Sequence, residues 1–316
     1  MNKVAVKLLG IAVFCLVSPL FAQRHLLPKN SLTGYSGKGP TFSRAVSGME
    51  SPTGPTESRA LPAAKSEKRI FLQPVRLSSF RSSSQMLVMT SSNWASVSGT
   101  LRRYERRSSR GQWTAVGYPI TVVVGKNGLA WGVGVATGGS ASPDDPIKKE
   151  GDGRAPAGMF RLGTFFGYAT RKQPGWKMPY LNLTELTQCV DDVDSKFYNR
   201  VLNRDSVSPD WNSAETMLRS DDLYRWGIVI EYNSNPPLPG RGSCIFLHIW
   251  RGPGQGTVGC TAMPENELET ILSWLDPRKQ PFLVQLPVAQ YRKLEKRWEL
   301  PDILPSRKVL SQRGLE

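Results

Sequence analysis

The feature that most constrains this chain is a succession of short β-branched and aromatic segments, each closed within a few residues by Gly, Pro or Asn. Residues 118–124 read Tyr-Pro-Ile-Thr-Val-Val-Val and stop at Gly125. Lys126-Asn127-Gly128 then supplies the residues a tight hairpin needs, and 129–135 resumes the strand pattern. Residues 85–90, 99–106, 159–165, 226–232, 243–249 and 282–286 carry the same signature. Helical periodicity is rarer. Leu268, Ile271, Leu272 and Leu275 form one apolar stripe, so 264–275 is predicted as a helix. Pro264 suits its first turn, and Glu265, Glu267 and Glu269 lie near its positive end. Weaker helical patterns cover 193–202 and 214–224, and a basic one covers 288–300. The expectation is one mostly β domain with a minor α+β character.

The ends differ in composition from this middle. Lys3 and Lys7 precede an apolar stretch at 8–17 that is short for a bilayer span, Pro19 breaks it, and Ala22 offers a cleavage point. Residues 1–22 are therefore expected to be a secretory signal peptide, an uncleaved anchor being the alternative. Residues 23–84 are rich in Ser, Pro and Gly and are expected to be a linker. The folded domain is expected at 85–287 and a basic tail at 288–316. The chain carries 41 Lys+Arg against 26 Asp+Glu, a formal net charge of +15. Much of the excess lies on the ends: residues 23–81 hold ten basic and three acidic residues. A basic tail outside the cytoplasm suits anionic membrane lipid or cell-wall polymer, whereas a nucleic-acid protein would carry a basic, aromatic-laced face on its fold. Export would put the protein in the periplasm or cell envelope.

With Cys15 in the predicted signal, Cys189, Cys244 and Cys260 remain. Three is odd: in an oxidising compartment two can pair, and one is left as a thiol or an intermolecular partner. Two segments concentrate unusual residues. The first, Lys148-Lys149-Glu150-Gly151-Asp152-Gly153-Arg154-Ala155-Pro156-Ala157-Gly158, is a tight loop before a strand. The second runs from His248, at the end of an apolar strand, through a Gly/Pro-rich loop to Thr257-Val258-Gly259-Cys260. Such a loop can return the chain so that His248 and Cys260 meet. A cysteine beside an imidazole loses its proton readily, and the imidazolium can then protonate a leaving amine. A following helix N-terminus would lower the thiol pKa further. Backbone N–H groups at Gly259 and Cys260 could receive an oxyanion. No metal or cofactor is needed, and no zinc, Walker-type or Rossmann spacing is present. The competing assignment makes Cys260 a disulfide partner and His248 a core residue.

These residues resemble the L,D-transpeptidase family with the YkuD-type catalytic domain. Its members share a histidine followed by a loop and a Ser/Thr-x-Gly-Cys segment, here His248 and Thr257-Val258-Gly259-Cys260. They also share a Gly-rich loop with Pro-x-Gly leading into a strand, here 153–160. The resemblance covers about residues 85–287. It implies a β-sandwich-like domain with a few peripheral helices. It further implies attack by Cys260 on the peptidoglycan stem-peptide bond before terminal D-Ala, with His248 as base and then acid. A thioester forms and passes to an amine, or to water in an L,D-carboxypeptidase. A backbone carbonyl is the expected partner of the imidazole. Val258, Ala262 and Ala155 depart from the frequent His, Arg/Asn and Thr, so the substrate-carboxylate contact is expected to fall to Arg251 or Arg154. Trp250 and Arg251 are expected to wall the substrate groove, with packing the alternative for Trp250, and Thr257 is a further substrate-binding candidate. Cys189 and Cys244 are expected to form a disulfide tying the 181–202 insertion to the strand of His248, two buried thiols being the alternative. A non-catalytic wall-binding protein with a structural Cys260 is the reading from another class.

Overall fold

The structure is a computed structural model that describes residues 78–303 apart from 109, 134–141 and 172. The predicted signal peptide and nearly all of the predicted linker lie outside the described residues. A short helix α1 (Ser78–Arg81) leads into strands β1 (Gln85–Ser91), β2 (Ser98–Glu105), β3 (Thr114–Val123) and β4 (Leu129–Trp131). Next come β5 (Ala155–Gly167), β6 (Tyr180–Asn182), β7 (Thr187–Val190), β8 (Val201–Asn203) and β9 (Ala214–Thr216). The chain continues with β10 (Trp226–Glu231), β11 (Phe246–Ile249), β12 (Thr261–Met263), α2 (Glu265–Trp274), β13 (Phe282–Pro287) and α3 (Val288–Leu294).

Eight strands follow one another in the order β10-β11-β12-β3-β2-β1-β13-β5, and β10 then pairs with β5. The main sheet thus closes on itself. This corrects the sandwich expectation while keeping the mostly β one. Closure leaves these eight strands no free edge, and the core fills the interior. β1 is buried along its whole length because it lies between two neighbours and is covered outside as well. The α2 helix packs on β10 and β11 through Leu268, Ile271 and Leu272, all fully buried, each contributing about 1.5–3 kcal/mol. Its bounds match the periodicity read from sequence.

The folded unit is longer than 85–287 at both ends. Phe80 packs on Phe282 with ring centroids 4.9 Å apart. Tyr291, Leu294, Trp298 and Leu300 belong to the core, so the basic stretch after 287 is a docked helix and coil as far as residue 300. The two weaker helix predictions fail. Residues 193–202 form turns and then β8, and 214–224 form β9 and then turns. Carboxylates explain the first case: Asp192 accepts from Asp194 N and Asn212 N, which favours turns over helix. Strands β8-β7-β9 make a separate three-stranded sheet, an insertion between β6 and β10. The Cys189–Cys244 disulfide joins that insertion to the segment entering β11, with Cα atoms 5.9 Å apart.

Candidate active site

His248 and Cys260 are brought together by two neighbouring parallel strands. His248 lies opposite Ala262 in the β11–β12 register. Cys260 precedes Ala262 by two residues, so side-chain alternation puts it on the face of His248 and Phe246. The loop between them, 250–259, is pressed against its neighbours. Thr257 N donates to Val124 O at 2.9 Å and Lys126 N to Thr257 O at 2.7 Å. A Cβ at Gly256 would lie 2.6 Å from Lys126 Cα, so only glycine allows this crossing. The Thr257 hydroxyl then staples the turn: it accepts from Gly259 N at 3.1 Å and donates to Cys260 O at 2.7 Å.

Both side chains open on one cavity of about 280 Å³, which is also lined by Glu215, Arg219, Leu223, Tyr224, Arg251 and residues 255–258. Cys260 is a free thiol, 3% exposed. Its Sγ accepts from Phe246 N at 3.3 Å and donates to Cys244 O at 3.5 Å. The His248 Nδ1 lies 2.7 Å from Ile249 O. A carbonyl only accepts, so Nδ1 carries the hydrogen and Nε2 keeps the lone pair of a base. The Ile249 carbonyl is thus the imidazole's orienting partner, which the sequence left unnamed. Tyr224 packs edge-on against His248 with centroids 5.0 Å apart. Its hydroxyl donates to Glu215 Oε1 at 2.6 Å.

Burial dominates the electrostatics. It pushes the Cys260 thiol up to about 12, assisted by the nearby Glu215 charge, and pulls His248 down to about 4. The resting pair is therefore a neutral thiol and a neutral imidazole, in place of the ion pair expected from sequence. The expected helix contribution is also missing. Residues 261–263 form β12, and α2 begins only at Glu265, about 15 Å of extended chain beyond Cys260.

The other predicted residues divide. Arg251 lines the cavity and pairs with Asp221 at 2.9 Å. Thr257 lines it and holds the turn. Trp250 is half-buried, with its backbone N bonded to Met263 O, and is not among the lining residues. Arg154 donates to the carbonyls of Leu129 at 2.9 Å and Trp94 at 3.3 Å, in the scaffold beneath the site. Gly259 spends its N–H on Thr257. Sequence reasoning missed Glu215, Arg219 and Tyr224. Arg219 grips Asp221 through two nitrogens at 2.8 and 2.6 Å and reaches Glu215 at 3.5 Å. They lie in a stretch whose pattern suggested a helix, and nothing local announces their return to the site. Among the described residues no cluster of potential ligands could hold a metal ion.

Residues 118–288 match the family model of the YkuD L,D-transpeptidase catalytic domain. No curated protein and no solved structure matches the chain.

Proposed function

Because the chain belongs to the YkuD family of L,D-transpeptidase catalytic domains, we propose that it is a cysteine acyltransferase acting on peptidoglycan stem peptides. Cys260 is the nucleophile and His248 its base. The observation that carries this reading is the pairing of sulfurs. Cys189 and Cys244 are joined, and the thiol of Cys260 stays free in the cavity that holds His248, the only histidine among the described residues.

Since thiol and imidazole start neutral, attack and proton transfer are coupled. As Sγ approaches the carbonyl before terminal D-Ala, Nε2 of His248 takes its proton, while Ile249 O steadies the charge through Nδ1–H. With Gly259 N–H engaged by Thr257, the Cys260 N–H is the donor for the oxyanion. The imidazolium protonates the leaving amine, the C–N bond breaks, and a thioester remains on Cys260. An amine acceptor then gives a crosslink, and water gives a trimmed stem. Arg251 and Thr257 border the bound peptide. Export to the periplasm or cell envelope after cleavage at Ala22 completes the proposal, and the disulfide suits that oxidising setting.

The test is incubation of the mature protein with tetrapeptide-bearing muropeptides, followed by mass spectrometry. Loss of D-Ala with a crosslinked dimer is the expected result. Tripeptide alone would assign the carboxypeptidase. Intact substrate would favour a wall-binding protein.

A further inference from the structure

Glu215 reaches the site from the insertion, by a route that the disulfide fixes. In the β7–β9 register Cys189 lies opposite Glu215. Cys189 is bonded to Cys244, whose carbonyl accepts from the Cys260 thiol. The bond that pins the small sheet to the barrel therefore also sets a carboxylate beside the nucleophile. Among the lining residues of the cavity Glu215 is the one acid, accompanied by Arg219 and Arg251. Those two guanidiniums are engaged by Asp221 at 2.6 and 2.9 Å. Among the described residues, the hydrogen bonds to Glu215 both end on Oε1, from Tyr224 at 2.6 Å and Arg219 at 3.5 Å. Its Oε2 receives neither of them, and the side chain, which lines the cavity, keeps 22% exposure.

We propose that Glu215 is the acceptor subsite of this cavity, binding the primary ammonium group that will take the acyl chain. The inference rests on the acyl-transfer reading above. An amine of a diamino acid arrives protonated at neutral pH and is not a nucleophile in that form. Glu215 holds it beside the thioester and takes one proton from it. Burial raises the proton affinity of this carboxyl, which suits that role. The freed amine attacks the thioester carbonyl, so the new C–N bond forms and the C–S bond breaks. His248 removes the second amine proton and returns it to the departing Cys260 sulfur. Tyr224, bonded to Oε1, keeps the carboxyl turned toward the site.

The experiment compares two acceptors on the same acyl-enzyme, using the mature chain and a tetrapeptide stem as donor. One acceptor is Nα-acetyl-lysine, whose amine is cationic. The other is hydroxylamine, which is uncharged at neutral pH and does not need a carboxylate. In Glu215→Gln the two acceptors are compared on an equal amount of preformed acyl-enzyme, because loss of the Glu215 charge also alters the Cys260 thiol, and the readout is the lysine-to-hydroxylamine ratio. Transfer to acetyl-lysine should fall about tenfold or more, with hydrolysed tripeptide appearing instead. Glu215→Asp, which keeps the charge, should recover part of the lost lysine-to-hydroxylamine ratio. A structural role would lower both acceptors together and leave that ratio at the wild-type value in both variants, which overturns the proposal. Absence of any acyl adduct on wild-type Cys260 would overturn the acyl-transfer reading itself, and this inference with it.

Discussion

Two glycine-rich, charged loops stand out in this sequence with nearly equal force, and they do opposite things. In the 148–154 loop the side chains of Lys148, Glu150 and Asp152 are all engaged by the protein itself. Lys148, 3% exposed, donates to Asp152 Oδ1 and to Lys149 O, both at 2.6 Å. Asp152 also accepts from the N–H groups of Lys149 and Arg154. Glu150 accepts from Tyr198 and from Ser243 Oγ, tying this loop to the segment that enters β11. In the 250–259 loop Thr257 bonds within its own turn, whereas Arg251 and Val258 are exposed and Arg251, Gln255 and Thr257 line the cavity. A closed network of charges marks a brace, and a loop with exposed and cavity-lining groups beside a buried thiol marks a candidate site. Glycine content and charge density do not separate the two; the destination of each hydrogen bond does.

The two loops should differ most at the sulfur. Cys260→Ala should lower D-Ala release by about 10⁴-fold or more while leaving the unfolding midpoint within a few degrees, as steady-state turnover and thermal unfolding would show. The brace should behave in the reverse way. Asp152→Ala strands a buried ammonium and should cost about 3–5 kcal/mol in urea unfolding, with turnover per folded molecule little changed. Equal loss of turnover in the folded fraction would erase the distinction between the loops. Thr257→Val removes the staple without emptying its volume. It should cost about 1 kcal/mol in stability and roughly tenfold in turnover, because Cys260 loses its fixed backbone. Arg251→Ala, at an exposed ion pair, should change stability by less than about 1 kcal/mol.

The pH dependence sharpens the same contrast. With the thiol raised to about 12, alkylation of Cys260 by iodoacetamide should keep rising through pH 9 without a plateau near neutrality. His248 is lowered in the folded state to about 4, so the unfolded chain binds more protons between that value and the ordinary 6.5. Its contribution to stability is therefore present above about pH 6.5 and is lost as pH falls toward 4. His248→Gln should remove that acid sensitivity.

Most of the barrel was legible in the sequence because its strands are long and β-branched enough to show a pattern. Residues 85–90, 99–106, 226–232 and 282–286 are strands within a residue or two of the expected bounds. The α2 helix followed from four apolar residues at helical spacing. Strands β7, β8, β9 and β12 were not legible. Each has three or four residues, and each exists because a distant partner supplies its hydrogen bonds. The closure of the sheet is likewise a pairing of β5 with β10, which no local pattern encodes. At the candidate site, the residue types at 248 and 260 suggested a chemistry, but not its electrostatics. Desolvation depends on Phe166, Phe246, Tyr224 and the disulfide gathering round the thiol, and that is a property of packing. Glu215 was hidden for the same reason: its place beside Cys260 comes from a cross-strand register and a disulfide.

The most direct measurement is a peptide map of the protein quenched during turnover of a tetrapeptide stem. A tripeptidyl thioester on Cys260 is expected, with one equivalent of D-Ala released per adduct. An adduct on another residue, or D-Ala release that persists in Cys260→Ala, would overturn Cys260 as the nucleophile.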